Sequence, residues 1–157
     1  MARSHVAIGL CAWVAAAPIL NLSALDAGGL ALAATGSLLP DIDHPQSWVG
    51  RRLRLLSRII AAVFGHRGIT HSAVAVVGVI ALLAHFGGQR AGVSAVAIGY
   101  LSHLAADMLT PRGLRLAWPL RRVWSVPICR TGSAMEPLIV MTLVCATLWR
   151  LLQTMHP

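Results

Sequence analysis

Apolar residues fall into five runs, covering about 6–25, 28–39, 70–86, 91–109 and 137–152, with polar or arginine-rich links between them. A helix needs roughly 20 apolar residues to span a bilayer, and only the first and fourth runs approach that length. The second is short and rich in Gly and Ala, so it is expected either to re-enter the membrane or to pack tightly inside a bundle. The link 50–65 differs in kind. Arg51, Arg52, Arg54 and Arg58 interleave with Leu53, Leu55, Leu56, Ile59 and Ile60, which predicts an amphipathic helix lying in the interface. In 111–132, Trp118 and Trp124 stand among Arg112, Arg115, Arg121, Arg122 and Arg130, the composition of an interfacial belt. For both links a plain positive-inside flank is the alternative. The pattern predicts an all-α protein: a polytopic membrane helix bundle of four to five membrane segments plus an interfacial amphipathic helix, in one domain over 1–157.

Composition supports lipid as the solvent. Charged residues make up 11% of the chain, hydrophobic ones 57%, and the mean hydropathy is +0.72. A soluble domain carries about 25% charged residues, so this chain could not cover a globular surface with polar groups. The net charge of +8 comes from arginine alone, because the sequence has no lysine. Arginines set between apolar runs suit anionic lipid headgroups as partners, and nucleic acid is not expected. Cys11, Cys129 and Cys145 form no C-x-x-C pair and read as ordinary buried thiols. The first run, interrupted by Pro18 and Asn21, reads as a retained helix rather than a cleavable leader. If the amino terminus is cytoplasmic and all five runs cross, eleven arginines lie on the cytoplasmic side and only Arg90 and Arg150 on the other.

The five acidic residues are Asp26, Asp41, Asp43, Asp107 and Glu136. Carboxylates near a bilayer are costly, so each needs a partner or a role. In Leu39-Pro40-Asp41-Ile42-Asp43-His44-Pro45 the two prolines favour an extended or turn conformation. In an extended chain Asp41 and Asp43 would point to the same side, as two hard oxygen ligands for a divalent cation; a polar turn capping the next helix is the alternative. His66 and His71 are five apart and would converge only if Gly68 ended a turn and His71 opened the next helix. Imidazoles suit zinc or manganese, and Thr70 or Ser72 could cap that helix or support a ligand. His103 and Asp107 share one helix face, as ligands or as a buried hydrogen bond. His5 and Glu136 open the first and last runs, where a cap or an interfacial residue is the plainer reading. In the proposed orientation His5, Asp41, Asp43, His66, His71, Asp107 and Glu136 all fall at cytoplasmic helix ends, with His103 one turn inside. His85 and His156 fall on the other side, without a neighbouring carboxylate.

At these residues the sequence resembles the YdjM-like family of membrane-bound, metal-dependent hydrolases predicted in bacteria. The matching stretches are LPDIDHPQSWVGRRL, FGHRGITHS and GYLSHLAADMLTPRG, then the tryptophan–proline of LAWPLRR. The family's signature positions fall on Asp41, Asp43, His44, His66, Arg67, Thr70, His71, His103, Asp107 and Thr110. The ligand order is also loosely similar to zinc-dependent phospholipase C and P1-type nucleases. Their closing His-x3-Glu is missing, since no histidine stands four residues before Glu136, so one or two metal ions are expected, zinc first and manganese as the alternative. The resemblance implies a bacterial inner-membrane hydrolase of phosphoesters, lipid headgroups among them, with its site on the cytoplasmic face. Asp41, Asp43, His66, His71, His103, Asp107, His5 and Glu136 would be the metal ligands. Asp43, or Asp41 in its place, would also serve as general base or bridging ligand, and Arg67 would hold phosphate, with Arg51 or Arg52 assisting. The rival readings are a non-catalytic protein with a structural metal and a metal or ion transporter. A transporter would place ionisable groups near the bilayer midplane within inverted repeats, and neither is seen here.

Overall fold

The computed structural model describes residues 2–130 and 132–155. Six α-helices carry the described chain: α1 (Ala2–Ala16), α2 (Ala27–Gly36), α3 (Arg54–Phe64), α4 (Ala73–His85), α5 (Arg90–Met108) and α6 (Met135–Met155). The only β-type pairing among the described residues is an isolated antiparallel bridge between Leu114 and Trp124. The fold is all-α.

Helix boundaries differ from the apolar runs where proline or capping chemistry intervenes. The first run does not form a single helix to residue 25. α1 stops at Ala16, Pro18–Leu20 forms a 3-10 turn, and Asn21 turns the chain in the left-handed region at φ 57°. Proline lacks the N–H that would continue the helix and its ring crowds the preceding turn. Asp26 then caps α2, accepting from the Gly29 N–H at 2.7 Å. At the other end Pro137 lies in the first turn of α6, where no N–H is required, so the helix begins at Met135 and runs for 21 residues. Among the described helices α6 alone is long and apolar enough to cross a membrane, over Met135–Thr154. This reverses the expectation for the first and fourth runs. α1 has only 15 residues, and the 19 of α5 include Ser94, Ser102, His103 and Asp107.

α5 is the central helix, packed against α1, α2 and α4, while α6 leans on α1. Trp13, Ala17, Ala33 and Ala95 fill one core cluster, and Val76, Tyr100, Leu104 and Leu114 the other. The α2–α5 contact is made by backbone. A Cβ on Gly36 would lie 2.3 Å from the Val96 carbonyl oxygen, and one on Gly99 only 2.0 Å from that of Ala33. Small residues permit such approach, and here it carries the chain after α2 onto the site-bearing face of α5.

Much of the apolar surface has no protein partner. Leu55, Ile59 and Val63, one stripe of α3, are exposed, as are Leu138, Met141, Leu148 and Leu152 of α6. The 111–132 stretch is more than a surface belt. Leu114 is buried, the bridge ties it to Trp124, and the Ser125 hydroxyl donates to the Thr110 carbonyl, so this loop closes the end of α5. Arg122 and Arg52 lie over the rings of Trp124 and Trp48 at 4.7 and 3.5 Å. Cys11 is buried, but Cys145 is exposed on α6 and Cys129 only half-buried. His85 stands at the end of α4 beside Phe86, and His156 lies outside the described residues.

Candidate metal centre

The site assembles where two 3-10 turns meet the carboxyl-terminal half of α5. Pro40–Asp43 is the first turn, closed by the Ile42 N–H to the Leu39 carbonyl and the His44 N–H to the Asp41 carbonyl. Because this segment is coiled rather than extended, Asp41 and Asp43 do not share a side. Residues two apart in a 3-10 turn diverge by about 120°. Asp43 turns inward and is fully buried; the Asp41 side chain is 18% exposed and faces His103.

Asp43 is saturated by protein donors. Its Oδ1 accepts from His66 Nδ1 at 2.9 Å, and its Oδ2 accepts from the Arg67 N–H at 2.8 Å, from His71 Nδ1 at 3.1 Å and from the Thr70 hydroxyl. Burial alone would raise its pKa, but the bonds from His66, His71 and Thr70 hold the carboxyl well below the usual carboxylate range. The second turn, Ile69–His71, and the residues leading into it from His66 supply these donors, and Ser72 then caps α4 by accepting from the Ala75 N–H. Of the two roles open to Thr70 and Ser72, Thr70 binds the carboxylate and Ser72 caps the helix. Arg67 takes a left-handed backbone at φ 58°, unusual for a residue with a side chain, and this turns its N–H onto Asp43.

His71 and His103 share one arrangement. A carboxylate can only accept, so His71 donates from Nδ1 to Asp43; His103 likewise donates from Nδ1 to the Ser37 carbonyl at 2.7 Å. In each neutral ring the lone pair is then on Nε2. Both Nε2 atoms are buried and have no hydrogen-bond partner among the described residues. They face carboxylate oxygens instead: His71 Nε2 lies 3.4 Å and His103 Nε2 3.8 Å from Asp107 Oδ2, and Asp41 Oδ1 is 3.9 Å from His103 Nε2. Ligands held at 2.0–2.1 Å by a tetrahedral zinc stand about 3.3 Å from one another. The gaps are too long for good hydrogen bonds and close to those of groups sharing a cation.

Asp107 Oδ1 is occupied by Arg67 Nη2 at 2.8 Å, and Arg67 Nη1 donates to the Gly113 carbonyl at 2.9 Å. Oδ2 is left to face His71 and His103. His5 of α1 stacks on His103, with ring centroids 3.9 Å apart, and its Nε2 is 3.8 Å from Asp107 Oδ1. Two overlapping groups could therefore hold a metal ion: Asp41, His71 and His103, and His5, His103 and Asp107.

The other expected ligands lie apart from these groups. His66 is at the rim, 42% exposed by its side chain, with His44 tilted against it at 4.7 Å between centroids. Glu136 has both oxygens engaged, one by the Ser4 hydroxyl and the other by the Gly132 N–H at 2.6 Å, which ties α6 to α1. Arg51 and Arg52 lie on the surface beyond the Pro40–Asp43 turn. Residue types alone could not reveal the Ser37 carbonyl or the Tyr100 hydroxyl, which donates to the Thr70 carbonyl behind the second turn.

This chain is 44% identical over 122 residues to the inner membrane proteins YdjM of Escherichia coli (strain K12) and Shigella flexneri, an alignment covering 71% of this chain. The aligned stretch spans 61% of the length of those relatives. It is also 30% identical over 161 residues to the uncharacterized protein YvsG of Bacillus subtilis (strain 168), covering 98% of this chain and 96% of YvsG. No solved structure matches the chain. The sequence profile described as YdjM inner membrane protein matches residues 1–156, and the chain belongs to that family.

Proposed function

We propose that this chain is a membrane-bound, metal-dependent hydrolase acting on a phosphoester at the cytoplasmic face of the inner membrane. The observation that carries this reading is the pair of buried, unpartnered Nε2 atoms on His71 and His103, set 3.4–3.9 Å from carboxylate oxygens. His71, His103, Asp107 and Asp41 would hold the ion, with His5 beside them. His103 has one free nitrogen and can serve one ion only, so a single ion, zinc or manganese, fits best. A bound divalent cation would supply Lewis-acid polarisation of a phosphoryl oxygen and a water of lowered pKa.

The chain's own groups divide the remaining work. Asp43 orients His66 and His71 through their Nδ1 atoms, the usual partnership of a carboxylate with a ligating imidazole. Asp41, its side chain partly open to water, would hold the ion by the oxygen facing His103 and take a proton at the other as general base. Arg67 holds Asp107 by one nitrogen and, at 15% side-chain exposure, can share its fork with a phosphate oxygen. The membrane frame is polytopic: α6 spans, the bundle of α1, α2, α4 and α5 is embedded beside it, and α3 lies in the interface with its arginines toward anionic headgroups. With all five apolar runs crossing, the arginine distribution supports a cytoplasmic amino terminus.

The test is elemental analysis of detergent-purified protein, with hydrolysis assays on bis(p-nitrophenyl) phosphate and phospholipid vesicles. About one zinc per chain is expected, lost in His71→Ala and His103→Ala, with turnover that a chelator removes. Wild type and variants of equal metal content would end the reading. The full burial of His71 and His103 favours a second reading, a metal that only ties helices together. Bound metal that raises the melting temperature without any turnover would select it.

A further inference from the structure

A cleft of about 720 Å³ runs between α1, α5 and α6. One end is polar, where His5, Asp107 and Glu136 line it; the rest is walled by small and apolar groups such as Ile8, Ala12, Leu143 and Ala146. From Glu136 to Ala146 is ten residues, roughly 15 Å at the rise of an α-helix. The cleft is therefore elongated along the bundle and graded from polar to apolar, and its polar end belongs to the metal centre. Its outer wall, α6, carries more exposed large apolar side chains than any other described helix and is apolar enough to span, so the cleft adjoins an apolar medium.

We propose that this cleft holds one hydrocarbon chain of a membrane amphiphile, with the polar head at His5 and Asp107. Water would find few hydrogen-bonding partners along such walls. The volume is that of a small-molecule site, roughly 300–1,000 Å³. His5 brings a second observation, for its Nδ1 is buried on the cleft wall without a partner among the described residues. The assignment rests on the hydrolase reading only for what happens at the head. It narrows the substrate class to a lipid ester whose chain lies beside α6.

The experiment uses full-length protein in phosphatidylcholine nanodiscs, with palmitoyl lysophosphatidic acid carrying a diazirine at mid-chain. Photolabel is expected on α6 within 138–146 and on α1 at Ile8 and Ala12. Ala12→Phe and Ala146→Phe should each cut labelling at least fivefold without altering zinc content. Ala146 is exposed on the outer helix, so its variant tests the site even if Ala12→Phe does not fold. Label spread evenly over the exposed apolar residues of α3, α4 and α6, or unchanged in both variants, overturns the proposal. The two readings fail separately. Cleft labelling that persists in protein that never cleaves a phosphoester keeps the chain site and removes the hydrolase. Cleavage of palmitoyl and chainless substrates at equal rates in wild type and both variants keeps the hydrolase and removes the chain site.

Discussion

Asp43 and Asp107 are both buried carboxylates beside histidines, yet the regions around them are built on opposite plans. Around Asp43 every acceptor position is filled: two imidazoles, a hydroxyl and a backbone N–H converge on it from one short segment, 66–71. Around Asp107 one oxygen is held by Arg67 while the other faces two imidazole nitrogens that have no partner among the described residues. A polar knot with every group satisfied rigidifies a fold; one with buried atoms left over is costly unless something else completes it. The difference separates a carboxylate that positions its neighbours from one that belongs to a group able to hold a metal ion.

The most damaging way to break the contrast is Asp43→Ala, which strands His66, His71, Thr70 and the Arg67 N–H at once. Loss of about 3–5 kcal/mol is expected, the cost of removing one partner from a buried charged network, seen as a collapse of the melting temperature in detergent. A small change would mean that Asp43 is not structural. On the Asp107 side the expected signature is ligand dependence. Zinc at a thousandfold above its Kd should stabilise wild type by about 4 kcal/mol and His103→Ala hardly at all, measured by thermal unfolding with and without chelator. Equal shifts in the two proteins would place the ion elsewhere.

Gly99→Ala probes the joint between the regions. Its new methyl meets the Ala33 carbonyl, so α2 must move, at about 1–3 kcal/mol. The shift displaces the Ser37 carbonyl from His103, so zinc affinity should fall in the same variant, as isothermal titration would report. Glu136→Gln should do least. It weakens the Ser4 and Gly132 contacts by about 1 kcal/mol or less and leaves zinc content unchanged; a loss of metal would return Glu136 to the ligand set.

Apolar runs located five of the six helices to within a few residues except where proline chemistry decided the ends, at Pro18 and Pro137, while the interleaving of arginine with leucine and isoleucine in 50–65 located α3. The motif histidines and aspartates were legible because charge in a lipid-like composition is conspicuous. Their division of labour was not. Whether Asp41 and Asp43 share a side depends on a 3-10 turn rather than an extended strand, and spacing alone does not separate the two. The stacking of His5 on His103 joins residues 98 positions apart and leaves no local trace. Position makes Glu136 a cap or interfacial residue and the resemblance makes it a ligand, and only the approach of Ser4 from α1 and of the Gly132 N–H reveals how its oxygens are engaged.

The contact at Gly36 and Gly99 has a consequence for how this sequence can drift. A larger residue at either position would meet backbone rather than either histidine, yet it would re-aim one of the unpartnered nitrogens, because the carbonyl that fixes His103 belongs to the residue after Gly36. Mutational tolerance in this bundle should therefore follow distance to the α2–α5 crossing as closely as distance to the site. A screen for lost function would recover small residues with no chemistry of their own.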